Sequence, residues 1–140
     1  MLKGKIHRAT VTEADLDYVG SLTLDEDLMD AAQLREYEKI QVLDITNGNR
    51  IETYTIKGKS GSGKICINGA AAHLINKGDV VIIVAFCLLD EHEVQSHKPV
   101  IVHVDEQNQI SNNLSESVLI LNWNEKNSRW RYPGFKKVGS

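Results

Sequence analysis

Cysteine, proline and aromatic side chains are all scarce in this 140-residue chain, and neither a long apolar run nor a basic surplus accompanies them. Two cysteines, Cys66 and Cys87, are too few and too far apart for a disulfide framework or a zinc site. They read as two reduced thiols of a cytosolic protein. Two prolines and no low-complexity stretch leave nothing to mark an internal boundary, and the length suits one domain. Aromatics at 6% against 41% hydrophobic residues imply an aliphatic core, and a chain of this size buries one without metals. A formal net charge of −3 argues against a nucleic-acid partner, which calls for a basic stripe, but leaves room for a small cationic pocket. The longest apolar run, Val80 to Leu89, is 10 residues, about half of the roughly 20 that a membrane-spanning helix needs. It reads as a strand buried on both faces. Met1 to Lys5 lack the apolar stretch of a signal peptide, so the expectation is a soluble, cytoplasmic protein with no membrane partner.

Short apolar runs between turn signals dominate what is present. Strands are expected at Lys5–Val11, Gln41–Thr46, Arg50–Ile56, Ile65–Ile67, Val80–Cys87 and Val100–Val104. Asn47-Gly48-Asn49 predicts a hairpin with a type I′ turn, because Asn-Gly supplies two positive φ angles. Lys57 to Lys64, with glycines at 58, 61 and 63, reads as a mobile turn. Helices are few. Asp25 is placed to cap one carrying Leu28, Ala31, Ala32 and Leu34. Asp90 with Glu93 forms a capping-box pattern, and Ala70 to Leu74 suits one further turn. These elements make a mainly β domain with short helical inserts, although periodicity does not separate a barrel from a sandwich. The division expected is a domain over 1–110 and an extension over 111–140. In the extension Trp130, Tyr132 and Phe135 lie among Lys and Arg, a pattern that suits docking on its own or a neighbouring subunit.

Most enzyme signatures are missing. Gly58-Lys59-Ser60-Gly61-Ser62-Gly63-Lys64 has the wrong spacing for a phosphate loop, and no GxSxG elbow occurs. The five histidines contain no HExxH, and His92 and His97, five apart, do not share a helix face; no metal site is expected. What remains is Tyr18-Val19-Gly20-Ser21. Alone, Gly-Ser is a common turn dipeptide. Here it follows Gly4-Lys5-Ile6-His7-Arg8-Ala9 and precedes Asp25-Glu26-Asp27-Leu28-Met29-Asp30-Ala31-Ala32. Thr46-Asn47-Gly48-Asn49-Arg50, Thr53-Tyr54, Asn68-Gly69-Ala70-Ala71-Ala72-His73, Gly78-Asp79-Val80-Val81-Ile82-Ile83 and His97-Lys98-Pro99 come next in order. In this ordered set the chain resembles the pyruvoyl-dependent aspartate 1-decarboxylases over about residues 1 to 110. The tail beyond Ile110 lies outside the resemblance and is longer than is usual for that family.

The resemblance implies a double-psi β-barrel assembled as a homotetramer, with active sites between subunits. It also implies self-cleavage between Gly20 and Ser21: the Ser21 hydroxyl attacks the Gly20 carbonyl, and elimination with hydrolysis leaves a pyruvoyl group at position 21. That covalent pyruvoyl is the implied cofactor, an electron sink for decarboxylation of L-aspartate to β-alanine, the precursor of pantothenate and coenzyme A. Thr53 is then the residue that hydrogen-bonds the Gly20 carbonyl during processing and contacts substrate, and Tyr54 the general acid that protonates the carbanion. A phenol is protonated at neutral pH and suits that task. Arg50 and Lys5 are the implied cations for the two carboxylates, the Arg50 fork gripping one of them in two places. Asn68, Gly69, Ala70 and Ala71 line the implied pocket; His7 and Tyr18 match nearby positions. Without the resemblance, Thr53 is an ordinary β-branched strand residue and Lys5 and Arg50 are solvated strand ends. Two readings of other classes stand beside the enzyme: a small-ligand-binding β-barrel that stays uncleaved, and an interaction module built around the basic-aromatic tail.

Overall fold

A computed structural model describes residues 1–110, together with the backbone of three short tail strands at 118–120, 122–124 and 129–131. The expected docking of the tail, including Trp130, Tyr132 and Phe135, lies outside the residues whose side chains are described.

The order of elements is β1 (Leu2–Thr10), β2 (Glu13–Asp15), β3 (Ser21–Asp25), α1 (Glu26–Ala31), β4 (Lys39–Asp44), β5 (Arg50–Gly58), β6 (Ile65–Asn68), a 3-10 turn (Gly69–His73), β7 (Val80–Phe86), α2 (Glu91–Val94) and β8 (Val100–His103). Tail strands β9 (Val118–Ile120), β10 (Asn122–Asn124) and β11 (Arg129–Arg131) follow. Nine strands form one mixed sheet in the order β2-β6-β3-β5-β4-β7-β1-β8-β9. β3 runs parallel to β5 and antiparallel to β6, while β1 is antiparallel to β7 and parallel to β8. One continuous run, Leu2–Asp15, thus borders β7 through its first half and β6 through its second. Strand-dominated content, a mixed ladder and short helices agree with the mainly β, double-psi architecture expected.

Alternation explains which side β4 buries, while β3 and β6 are buried on both faces. Leu22 and Leu24 of β3, Ile40 and Val42 of β4, Ile65 and Ile67 of β6, and Val81 and Ile83 of β7 are all buried. With Ile6, Val11, Leu28, Met29 and Ile75 they form a single cluster that contains no aromatic ring among the described residues. The scarcity of aromatics in the sequence therefore shows directly in the packing.

Local chemistry sets the element ends. Asp25 caps α1 by accepting from the Asp27 N–H at 2.9 Å. Asp90 caps α2 by accepting from the Glu93 N–H at 2.8 Å. Three expectations are corrected. The β4–β5 hairpin forms, but its loop is longer than a type I′ turn. Only Gly48 has positive φ (81°), the Gly48 N–H donates to the Asp44 carbonyl, and the Asp44 carboxylate accepts from the Thr46 and Asn47 N–H groups. The run from Val80 to Leu89 leaves the sheet at Phe86, and Leu88 is fully exposed. The glycine-rich turn is tied down: the Gly61 and Gly63 N–H groups donate to the Asp25 carboxylate at 3.1 and 2.8 Å.

Candidate active site

β3 begins at Ser21, and its first residue is the unusual one. Ser21 has φ of 94°, a left-handed conformation that costs a residue with a Cβ about 1–3 kcal/mol. Its side chain is buried and its Oγ has no hydrogen-bond partner. A buried hydroxyl without a partner is expensive, and such groups concentrate where chemistry requires them.

Gly20, just before it, is enclosed by two neighbours. A Cβ built on Gly20 would stand 3.5 Å from Tyr54 Oη, so the phenol hydroxyl lies beside this backbone. A Cβ built on Gly69 would approach Gly20 Cα to 3.3 Å, and Gly69 has φ of 67°. Glycine at 69 therefore serves both a left-handed turn and the close approach of the 18–20 segment. Antiparallel register sets Asn68 opposite Ser21, and parallel register of Leu22 with Thr55 brings Ser21 level with Tyr54. Gly20, Ser21, Tyr54, Asn68 and Gly69 thus meet in one place, because the sheet order makes β6, β3 and β5 neighbours and the 3-10 turn follows β6 directly. Ala70 and Ala71 continue from Gly69 along the 3-10 turn.

The other expected residues are arranged differently. Arg50 and Tyr54 share the exposed face of β5 with Glu52, whereas Thr53 belongs to the face of Ile51 and Thr55. No described hydrogen bond joins Thr53 to Gly20. Lys5 lies on β1, separated from β3 by β7, β4 and β5 in the ladder, and burial lowers its pKa. His7, two residues on, meets His103 edge to face with ring centroids 5.3 Å apart. His7 Nδ1 and His103 Nε2 are both buried without a partner. Burial, helped by the charges of Lys5, His103 and Arg8, takes His7 down to about 4.

An open cleft of about 430 Å³ adjoins Ser21's face of the sheet. Tyr18, Thr23, Cys66 and Asn68 line one part of it, and Lys57, Lys59 and Lys64 another. Lys57 pairs with Glu26 at 3.4 Å and Lys64 with Glu13 at 3.9 Å. Lys5 and Arg50 do not line this cleft. In the sequence these lysines mark only a turn and Cys66 only a reduced thiol, and Thr23 and His103 belong to no motif. Two-residue spacing from Ser21 and from Asn68 was the available signal for Thr23 and Cys66, since it places them on the same strand face. The His7–His103 contact depends on the long-range β1–β8 pairing and leaves no local mark.

Comparison of the sequence with known proteins shows its family. The aspartate decarboxylase family matches residues 1–111, and the chain belongs to that family. Among its relatives, a protein of Acetivibrio thermocellus named aspartate 1-decarboxylase is 59% identical over 116 residues, which are 83% of this chain and 92% of the relative. A protein of the same name from Clostridium kluyveri is 59% identical over 110 residues, 79% of this chain and 87% of the relative. A third, from Caldicellulosiruptor bescii, is 62% identical over 110 residues, 79% and 86% of the two chains.

Proposed function

We propose that this chain decarboxylates L-aspartate to β-alanine and CO₂, using a pyruvoyl group made from its own Ser21, and so supplies β-alanine for pantothenate and coenzyme A. The observation that carries this reading is the Ser21 hydroxyl: buried, unpartnered, and held at φ of 94° directly after a glycine. A serine hydroxyl is a weak nucleophile and depends on orientation. Here the Gly20 side presents no Cβ to shield its carbonyl, and breaking the bond before Ser21 releases the backbone strain.

Ser21 Oγ bonds to the Gly20 carbonyl carbon, the Gly20–Ser21 C–N bond breaks, and the hydroxyl proton passes to the freed amine. Elimination of the resulting ester leaves a Gly20 carboxylate, and hydrolysis at position 21 releases ammonia and leaves the ketone. The residues present fit a pyruvoyl group there, since position 21 is flanked by Asn68 in register and by the Tyr54 hydroxyl. Once formed, that group supplies a ketone able to take up an amine and an electron sink as CO₂ leaves. Tyr54 holds the proton that the product carbon takes up; its hydroxyl stands beside Gly20 and so beside the new chain end. Asn68 and the Gly69-Ala70-Ala71 backbone orient the substrate. Arg50 and Lys5 bind its carboxylates, and Thr53 assists processing.

Lys5, on β1, is separated from β3 of the same chain by β7, β4 and β5 in the ladder. A site completed by a second copy accounts for that separation, as in the proposed homotetramer with active sites between subunits. Denaturing mass analysis of warmed protein tests the reading. Fragments 1–20 and 21–140, with β-alanine formed from aspartate, are expected; Ser21→Ala should give one intact chain and no CO₂. An unprocessed parental chain that binds small ligands without turnover would instead establish the uncleaved barrel.

A further inference from the structure

Four side chains occupy one face where β3 meets β6. Ser21 stands opposite Asn68 and Thr23 opposite Cys66, and the two-residue spacing on each strand makes them a two-by-two patch. Directly opposed residues of an antiparallel pair have Cβ atoms about 4.5–5.5 Å apart, so Ser21 is a natural hydrogen-bond partner for the Asn68 carboxamide. Yet no such bond forms. Asn68 Nδ2 donates diagonally to Thr23 Oγ1 at 3.0 Å, and Asn68 Oδ1 accepts from the Cys66 thiol at 3.0 Å. Because an amide oxygen only accepts, the thiol must be the donor, and Cys66 is buried where the protonated form is favoured. Asn68 is itself only 2% exposed. The patch therefore has three members bonded together and a fourth, Ser21, left out.

We infer that Thr23 and Cys66 are positioning residues that draw the Asn68 carboxamide away from Ser21 and so keep the Ser21 hydroxyl free to attack the Gly20 carbonyl. The inference rests on the self-processing reading. An N–H donated to Ser21 Oγ would occupy a lone pair needed for the new C–O bond and would relieve the desolvation of the hydroxyl. Both effects stabilise the uncleaved chain relative to the transition state. Thr23 supplies the competing acceptor; Cys66 fixes the carboxamide's flip from its oxygen end.

The test is a cleavage time course of freshly synthesised full-length chain, followed by denaturing mass analysis, with thermal melts run in parallel. Thr23→Val should slow formation of the 21–140 fragment about fivefold or more, the equivalent of one neutral hydrogen bond. Thr23→Ser, which keeps the acceptor, should stay within about twofold. Cys66→Ala should slow cleavage less than Thr23→Val, and Cys66→Ser should restore it. The double substitution Thr23→Val with Asn68→Ala should cleave faster than Thr23→Val alone, because the carboxamide that captures Ser21 is gone. That acceleration separates positioning from a merely structural role, which a second cavity would worsen. Thr23→Val cleaving at the parental rate, Thr23→Ser being as slow as Thr23→Val, or the double variant showing no gain would each overturn the inference while leaving self-processing intact. A parental chain that never cleaves would overturn both.

Discussion

The two ends of β3 solve the same problem in opposite ways. Each end carries a buried polar side chain. At the far end the Asp25 carboxylate accepts from the backbone N–H groups of Asp27, Gly61 and Gly63 at 2.9, 3.1 and 2.8 Å. It caps α1 and pins the glycine-rich turn at once. At the near end the Ser21 hydroxyl has no partner at all, on a residue held at positive φ. Five residues of one strand thus run from a fully satisfied group to an unsatisfied, strained one. The difference teaches where to look for chemistry: burial that is compensated holds a fold together, and burial that is left uncompensated stores free energy for a reaction.

Removing each group in turn tests that contrast most strongly. Asp25→Ala removes the shared acceptor of three N–H groups, of which that of Gly63 is buried, and should cost about 3 kcal/mol, lowering Tm by about 10 °C in a thermal melt. Ser21→Ala removes only an unpaired hydroxyl, so its Tm should equal or exceed that of the uncleaved parent while processing is lost. A large stability loss for Ser21→Ala would erase the distinction.

Sharpening the near end comes next. Tyr54→Phe should still give the 1–20 and 21–140 fragments but lose about a hundredfold or more in kcat, as expected when a general acid is removed. Unchanged turnover per cleaved chain would shift the proton donor elsewhere. Arg50→Lys keeps the charge and loses the two-pronged geometry, so KM for aspartate should rise about tenfold with kcat less affected, read from initial rates.

Smallest is the pH dependence of stability, where two other buried polar pairs give opposite signs. His7, held down to about 4, is uncharged in the fold while the unfolded chain takes up a proton near 6.5. Its environment therefore favours folding fully above 6.5 and loses that advantage as pH falls towards 4. Asp44 is raised to about 6 by burial and then by its contact with Asp79, so it stays protonated in the fold after the unfolded chain has released its proton. Its contribution is fully present below about 4 and is lost as pH rises through 6. Asp44→Asn supplies a permanent N–H in place of that proton. It should raise Tm at pH 8 by a few degrees, about 1 kcal/mol, and change it little at pH 4. A loss of stability at pH 8 would show that the Asp44 charge is favourable.

Features fixed by neighbours in sequence were the ones legible in advance. Asp25 and Asp90 announce their helices because capping involves the next two or three residues. The β4–β5 hairpin was visible, but its turn type was not, since a buried Asp44 carboxylate bonds the Thr46 and Asn47 N–H groups and leaves only Gly48 left-handed. β2 escaped notice because Glu13, Ala14 and Asp15 are all exposed; pairing with β6 makes them a strand, not burial. Likewise Gly20, Ser21 and Tyr54 could be named from the ordered motifs, while the contact between Gly20 and Gly69 arises only from folding. Thr23 and Cys66 carry no motif, and their significance lies in hydrogen bonds to Asn68 across the β3–β6 ladder.

The most direct measurement combines mass analysis of the mature protein with borohydride trapping in the presence of aspartate. Two fragments meeting at the Gly20–Ser21 junction are predicted, the larger carrying a reducible ketone at its first residue and retaining the amine after reduction. Active protein whose position 21 is still an amide-linked serine would contradict the account.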